Sequence, residues 1–429
     1  MRRLRSQVAV APTTRRKYMK NPLRDYRLFL IVAIATVVVL ACENPTASGN
    51  NNPPDSPPQF SGNLVYRDHV SSTGIDHLRQ IYGIVTAEVN GATYVFAPSY
   101  SGDAVTSFQL GADGSLTEIA VIEDDDTLQI DGPGYPSVAA VGDAQFLVVP
   151  GYNDNGFSVF RINSDGTLTN TVNINNDDDD ETLLRKARST TAIQTGDKTF
   201  LLFAGFRGDG LSVFELFENG TVDNTDNFPD ASGIYARTVL QIEAFHAHGQ
   251  VFVVPVDNDG SGISLFTLSA DGELTNIKNI SATEQPGLLD DTYSVRHATM
   301  GDNDYLYTIG TDHTLGGRDI AVLSLGTDGT ASYLGSTRTG ESNDPPITDG
   351  RDAAIIQVQD RSLLVTASYG TNEATVLEIQ DDGSLVHLST IDGEEVPIAG
   401  TNNITYAFVA DALLVIAGGF DGLIVFELQ

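Results

Sequence analysis

One short phrase returns seven times along this chain: an apolar hairpin strand, a loop containing Asp or Gly, Ser-Val-Phe-like residues, then Asp-Gly and a Leu. It reads Ser158-Val159-Phe160 to Asp165-Gly166-Thr167-Leu168, Ser212-Val213-Phe214 to Asn219-Gly220-Thr221-Val222, and Ser264-Leu265-Phe266 to Asp271-Gly272-Glu273-Leu274. The residue closing each phrase falls at Phe108, Phe160, Phe214, Phe266, Leu323, Leu377 and Phe426, so the intervals are 52, 54, 52, 57, 54 and 49 residues. A period near fifty with several strands per unit predicts an all-β, seven-bladed β-propeller of four-stranded blades. The 429 residues therefore do not require two domains, because each unit of a repeat packs only on its neighbours.

The third unit gives the strands as Thr190–Thr195, Phe200–Gly205, Leu211–Leu216 and Thr221–Asn227. Gly196-Asp197 lies in the first hairpin, and Asn219-Gly220 begins the third. Asp-Gly and Asn-Gly between apolar runs are strong turn signals, because both positions tolerate positive φ. The last unit ends at Gln429, directly after its third strand. A matching fourth strand stands at the other end of the ordered chain, where Gly62–Val70 has the pattern of Gly383–Ile391. An N-terminal strand closing the last blade removes the exposed sheet edges of an open array. The alternative architecture is an open β-solenoid.

Residues 1–41 are of a different kind, with nine Lys/Arg and one Asp leading into the apolar run Leu28–Ala41. That run is short for a membrane span and reads as a secretory segment. It ends Val39-Leu40-Ala41-Cys42, which resembles a bacterial lipobox, with Cys42 as the lipidated residue. Met19 is the expected start of such a signal; a plain N-terminal anchor helix is the other reading. Either way, the rest of the chain is expected to be exported to the cell envelope. Residues 42–59 are rich in Asn, Pro and Ser, the composition of a solvated tether, and residues 60–429 carry the repeats. Cys42 is the only cysteine, so no intrachain disulfide holds the fold.

Without residues 1–41 the chain has 15 Lys/Arg against 56 Asp/Glu, a net charge of about −41. Such a field disfavours nucleic acid and anionic membrane surfaces, leaving the lipid anchor as the only membrane contact. It suits a saline-adapted monomer or one with cation sites. Calcium is conceivable at the recurring loop aspartates Asp103, Asp154, Asp209, Asp259, Asp312 and Asp421. However, no Asp-x-Asp-x-Asp-Gly loop with a distal Glu is present, and hairpin turns explain these residues equally well.

The phrase, the sevenfold repeat and the absence of Trp-Asp signatures resemble the lactonase-family propellers, the group that includes 6-phosphogluconolactonase and carboxymuconate-cyclising enzymes. The similarity spans residues 60–429 and lies in scaffold positions. Tryptophan is absent, which argues against WD40 propellers. No nucleophile elbow, phosphate-binding Gly-Lys loop, dinucleotide fingerprint or metalloprotease helix is found.

Ligands of a propeller gather where the loops into the innermost strands meet the loops between second and third strands. Aligning units places Arg188, Arg237 and Arg351 at one slot of blades three, four and six; Tyr82, Gly134, Tyr293 and Thr401 fill it elsewhere. Arg296 follows from blade five. These guanidinium groups suit a carboxylate or phosphate, and they equally suit pairing with a loop acid such as Asp349 or Asp352. Tyr293 joins them as a substrate-binding residue. His297 and His313 are the general-base candidates for water attacking an ester or lactone carbonyl, with Arg296 stabilising the oxyanion. His246 and His248 are expected on the opposite face, and their spacing is a poor metal signature. Two functions follow: an exported lactonase-type enzyme acting on an anionic lactone, or a non-catalytic surface propeller binding a protein, glycan or small anion.

Overall fold

The computed structural model describes residues 60–429 except 177–181, 209, 232, 259–261, 282–290, 312–317, 339–346, 348, 370–372 and 392–399. Cys42, His313 and the whole of residues 1–59 lie outside the described residues. Seven sheets of four strands follow one another along the chain. The innermost strands of blades one to seven are Val85–Val89, Ser137–Val141, Ala187–Thr195, Val239–Ala247, Asp291–Met300, Gly350–Val358 and Thr401–Val409.

The ring closes as the repeat count requires. In the last blade, Thr401–Val409, Ala412–Gly419 and Gly422–Leu428 are completed by the N-terminal strand Leu64–Ser71. Leu64 pairs with Leu428 and Ser71 with Gly422, with a bulge between Tyr66 and Asp68. The N–H groups of Ser61, Gly62 and Asn63 also donate to the carbonyl of Gln429. The C-terminal strand therefore has no open edge.

The middle strands of each blade are covered on both faces by neighbouring blades, and so are apolar almost without interruption. Lys198–Gly205 and Gly210–Leu216 are nearly all buried, whereas the outer Val222–Pro229 is largely exposed or half-buried. The core is correspondingly distributed between blades. Phe157 of blade two stacks on Phe203 of blade three with centroids 4.0 Å apart, and Phe214 meets both edge-on.

The turn glycine of the repeated phrase has a second role. Gly166, Gly220, Gly272, Gly329 and Gly383 all have positive φ, between 75° and 87°. Each also lies against the preceding blade: a Cβ on Gly166 would come within 2.3 Å of the Tyr94 ring, and one on Gly383 within 2.5 Å of Tyr305. Neighbouring blades hydrogen-bond the same turns, with Thr171 Oγ1 donating to the Gly220 carbonyl at 3.0 Å and Tyr307 Oη to that of Gly383 at 3.0 Å. Gly196, in a first hairpin, has φ of +65° but open space around its Cα. Gly196→Ala should therefore cost about 1 kcal/mol, the left-handed backbone penalty alone. Gly166→Ala should cost at least about 2 kcal/mol, because steric conflict at the blade interface is added. Urea unfolding of the two variants measures the difference; equal losses would show that the interface contributes nothing.

Candidate functional site

Each innermost strand has one paired edge and one edge facing the central channel. Near its start, five of the seven carry a β-bulge that leaves one residue out of the pairing register. The bulged residues are Arg188, Leu240, Tyr293, Arg351 and Asn402 in blades three to seven. Isolated bridges Ile81 to Ser99 and Pro133 to Gly151 put Tyr82 and Gly134 at the same level in blades one and two. This register corrects the slot expected from sequence in two blades: blade four holds Leu240 there, three residues beyond Arg237, and blade seven holds Asn402. Arg237 is exposed, and its backbone N–H donates to Asp257 Oδ2 at 3.0 Å.

At the loop-face mouth, arginine meets tyrosine. The Arg188 guanidinium lies 4.2 Å from the Tyr82 ring centroid, with Tyr135, Tyr100 and Phe206 at 5.8, 5.9 and 5.9 Å. Its Nε is buried without a hydrogen-bond partner, and no carboxylate among the described residues pairs with it. Arg351 lies 3.8 Å from Tyr293 and 4.6 Å from Tyr369, and donates to Asp349 Oδ2 at 2.8 Å; its Nε is likewise buried and unpartnered. Both arginines act on Tyr135, opposing the burial that pushes its phenol pKa up, so they share one neighbourhood. The rings form an arc, Tyr82 to Tyr100 at 5.1 Å and Tyr100 to Tyr152 at 6.0 Å. A position just after the second strand supplies Tyr100, Tyr152, Phe206, Tyr369 and Phe420. These rings repeat at blade intervals, but only strand register identifies them as neighbours of the arginines.

One step inward is a polar layer that ties blades together. Asp352, fully buried, accepts from Arg296 Nη2 at 2.5 Å, from the Ile404 N–H at 3.3 Å and from Asn403 Nδ2. Asn403 Oδ1 in turn accepts from the Ile84 N–H at 2.8 Å. Arg296 ties blade five to both of its neighbours: Nε donates to the Ala353 carbonyl at 2.6 Å, Nη1 to the Val295 carbonyl at 2.7 Å, and Nη2 also to Gln241 Oε1 at 3.0 Å. Nη1 stands 3.4 Å from Glu243 Oε2. With every N–H engaged, Arg296 is a structural tie rather than an open oxyanion donor. Burial pushes the Glu243 carboxyl up to about 7 against the pull of Arg296.

His297 lies farther along the same strand, away from the arginine mouth. Its Nε2 is 2.7 Å from Asp304 Oδ1, its ring stacks 4.0 Å from Phe245, and Asp304 Oδ2 is 3.3 Å from His248 Nε2. Burial lowers the His297 pKa despite Asp304, leaving the ring neutral near pH 7. His297 and His248, which the sequence placed on opposite faces, thus share one carboxylate. His246 meets the Gln194 carbonyl at 2.8 Å. For calcium, the aspartates Asp103, Asp131 and Asp154 come together with Asp124, whose carboxyl burial and Asp154 push up to about 6. Among the described residues, no group of three or more His, Cys, Asp or Glu has an arrangement that could hold a metal ion.

The sequence pattern of the lactonase seven-bladed β-propellers matches residues 250–402. No curated protein matches the chain. Among solved structures, a periplasmic gluconolactonase from Pseudomonas aeruginosa is 13% identical with a TM-score of 0.58, covering 76% of this chain and 88% of that one. A protein from Bacteroides uniformis, described as a 6-phosphogluconolactonase by tentative assignment only, is 17% identical with a TM-score of 0.53, covering 72% and 85%. A protein from Lactobacillus plantarum is 14% identical with a TM-score of 0.55, covering 75% and 86%. At these identities the likeness is one of fold.

Glu243 yields a pH prediction. Its folded pKa of about 7 exceeds the ordinary 4.5, so between those values the folded state holds a proton that the unfolded state has lost, and stability falls as pH rises. Glu243→Gln should therefore be the more stable protein at pH 8, by up to about 3 kcal/mol, and should lose that advantage below pH 4.5. Denaturant titrations of both proteins across this range check the sign. Asp352→Ala should cost about 3–5 kcal/mol by stranding Arg296, with much of the loss restored in the Asp352→Leu/Arg296→Met double variant.

Proposed function

We propose that this chain, a seven-bladed propeller of the lactonase type, takes an anionic lactone at the mouth formed by Arg188 and Arg351 and opens it by hydrolysis or isomerisation. The observation that carries this reading is Arg188. In a mature chain of charge about −41, it stands among four aromatic rings with a buried, unpartnered Nε and no carboxylate pair among the described residues. An anion offers what the protein withholds from it, and arginine's planar fork suits a carboxylate or phosphate. Tyr82, Tyr135 and Tyr293 give the body of a small ligand flat surfaces to rest on.

In the hydrolytic reaction, water oxygen bonds to the lactone carbonyl carbon and the ring C–O bond breaks. The ring oxygen leaves as a hydroxyl, and the new carboxylic acid releases its proton to solvent. Guanidinium groups fixed at the mouth stabilise the negative charge that develops on the carbonyl oxygen. A second reading has its own support: Arg296 is fully bonded and His297 is turned to Asp304, so the first offers no free oxyanion donor and the second no base at this mouth. In that reading the propeller binds a small anion or a surface partner without turning it over.

Export and anchoring belong to the same proposal. The basic and apolar segment before Cys42 supports a lipid-anchored place in the cell envelope, with residues 42–59 as the tether. Cys42→Ser should move the protein from the membrane fraction to the soluble one, read by fractionation and immunoblot.

Screening sugar-acid and carboxylated lactones against the protein tests the activity. Arg188→Met and Arg351→Met should each weaken ligand binding tenfold to a hundredfold, the value of a charged hydrogen bond at about 1.5–3 kcal/mol, while Arg237→Ala should change little. Tight binding without ring opening would select the non-catalytic reading. Retained binding and turnover in both arginine variants would remove this mouth as the site.

A further inference from the structure

Around the channel lies a chamber of about 660 Å³ walled by residues from all seven blades, with Arg296, Gln241 and Asn403 of the polar layer forming part of its wall. It runs from Tyr135 and Gln241 down to Thr299 and Gln357, which are exposed near the hairpin ends of their strands. Arg188, Arg351 and Tyr293 take no part in its wall. The chamber thus adjoins the arginine mouth, sharing Tyr135 with it, while the two arginines of the mouth stay outside its wall.

Its fixed charges can be followed one by one. A guanidinium has five N–H donors, and those of Arg296 go to Ala353, Val295, Glu243, Gln241 and Asp352. Receiving an anion would break one of these bonds. Asp352 is occupied by Arg296, Asn403 and the Ile404 N–H. His297 is held neutral near pH 7 by burial. What remains is Glu243: its side chain is 25% exposed, among the described residues only the long 3.4 Å contact from Arg296 reaches it, and the Arg296 charge is already matched by Asp352. Around it are acceptors, namely Thr191 and Thr405 hydroxyls and the carbonyls of strands whose second edge faces the channel. Val138, Ala192 and Ile355 add apolar surface.

We propose that this chamber is a second ligand site, for a small aliphatic ammonium whose N–H groups pair with Glu243 and whose carbon chain lies along Val138, Ala192 and Ile355. One carboxylate among hydroxyls and carbonyls matches an ammonium donor, whereas a calcium-like ion needs six to eight oxygens, commonly including several carboxylates. A single ion would also leave most of the volume unfilled. Anionic lactones are repelled here by Glu243, so the two sites select ligands of opposite charge.

Calorimetric titration with n-butylamine and with 1-butanol, its neutral counterpart of equal chain length, tests the assignment. Butylamine should bind at pH 8 and weaken about tenfold at pH 6, as the Glu243 carboxyl takes up its proton near 7. Glu243→Gln should lose at least about tenfold at pH 8. Thr191→Phe, which fills the chamber, should also lose binding, and Arg188→Met should leave it unchanged. Melting curves at pH 8 establish that Glu243→Gln is folded. Equal affinity for butanol, unchanged butylamine affinity in Glu243→Gln, or no amine binding up to about 10 mM would each overturn the proposal. Because Arg188→Met spares this site, failure here is distinct from failure of the lactone reading.

Discussion

Every blade leans on the one before it, and the contact that repeats is a turn glycine set against a neighbour's side chain. Gly166 on Tyr94, Gly272 on Phe200 and Gly383 on Tyr305 are the same contact in successive places. Two requirements coincide at one residue: the hairpin needs positive φ, and the adjacent blade leaves no room for a Cβ. This coincidence sets the spacing of the blades. Their spacing in turn brings adjacent inner strands close enough for Asp352 to bond Arg296 on one side and Asn403 on the other. The axis then carries Arg188 and Arg351 at its mouth and the Glu243 carboxyl, beside Arg296, in the chamber wall.

What could be read from the sequence follows from distance along the chain. Hairpins, the count of seven and the closing strand come from local patterns, alternating or continuous apolar runs punctuated by Asp-Gly. Gly62–Val70 could be recognised as a fourth strand because it resembles the fourth strands already seen. The mouth was only partly legible. Arg188 and Arg351 fall on bulges, but so does Leu240 rather than Arg237, and a bulge adds a residue without a sequence mark. Single-blade alignment thus drifted by three residues where the approach to the strand changed length.

The buried charges were less visible still. Asp352 meets Arg296, Asn403 and Ile404, the last two about fifty residues away along the chain. Glu243 looks like any strand glutamate until its neighbours are known. Asp304, in a hairpin that reads as plain turn chemistry, joins His297 to His248 from another blade. Pairing of this sort is set by tertiary geometry, so residue type and spacing could nominate His297 and Arg296 without giving their partners.

The closing strand also fixes an order of events. Residues 64–71 find their partners only at 422–428, so the first strand of the ring to be made is the last able to pair. Contacts so distant in sequence are slow to form. Until the C-terminus is available, the outer edge of the final blade stays open to other strands, and the N-terminal segment has no place to dock. While the chain is being synthesised, the ring therefore stays unclosed. The finished propeller is a clasp that locks only after its last residue has arrived.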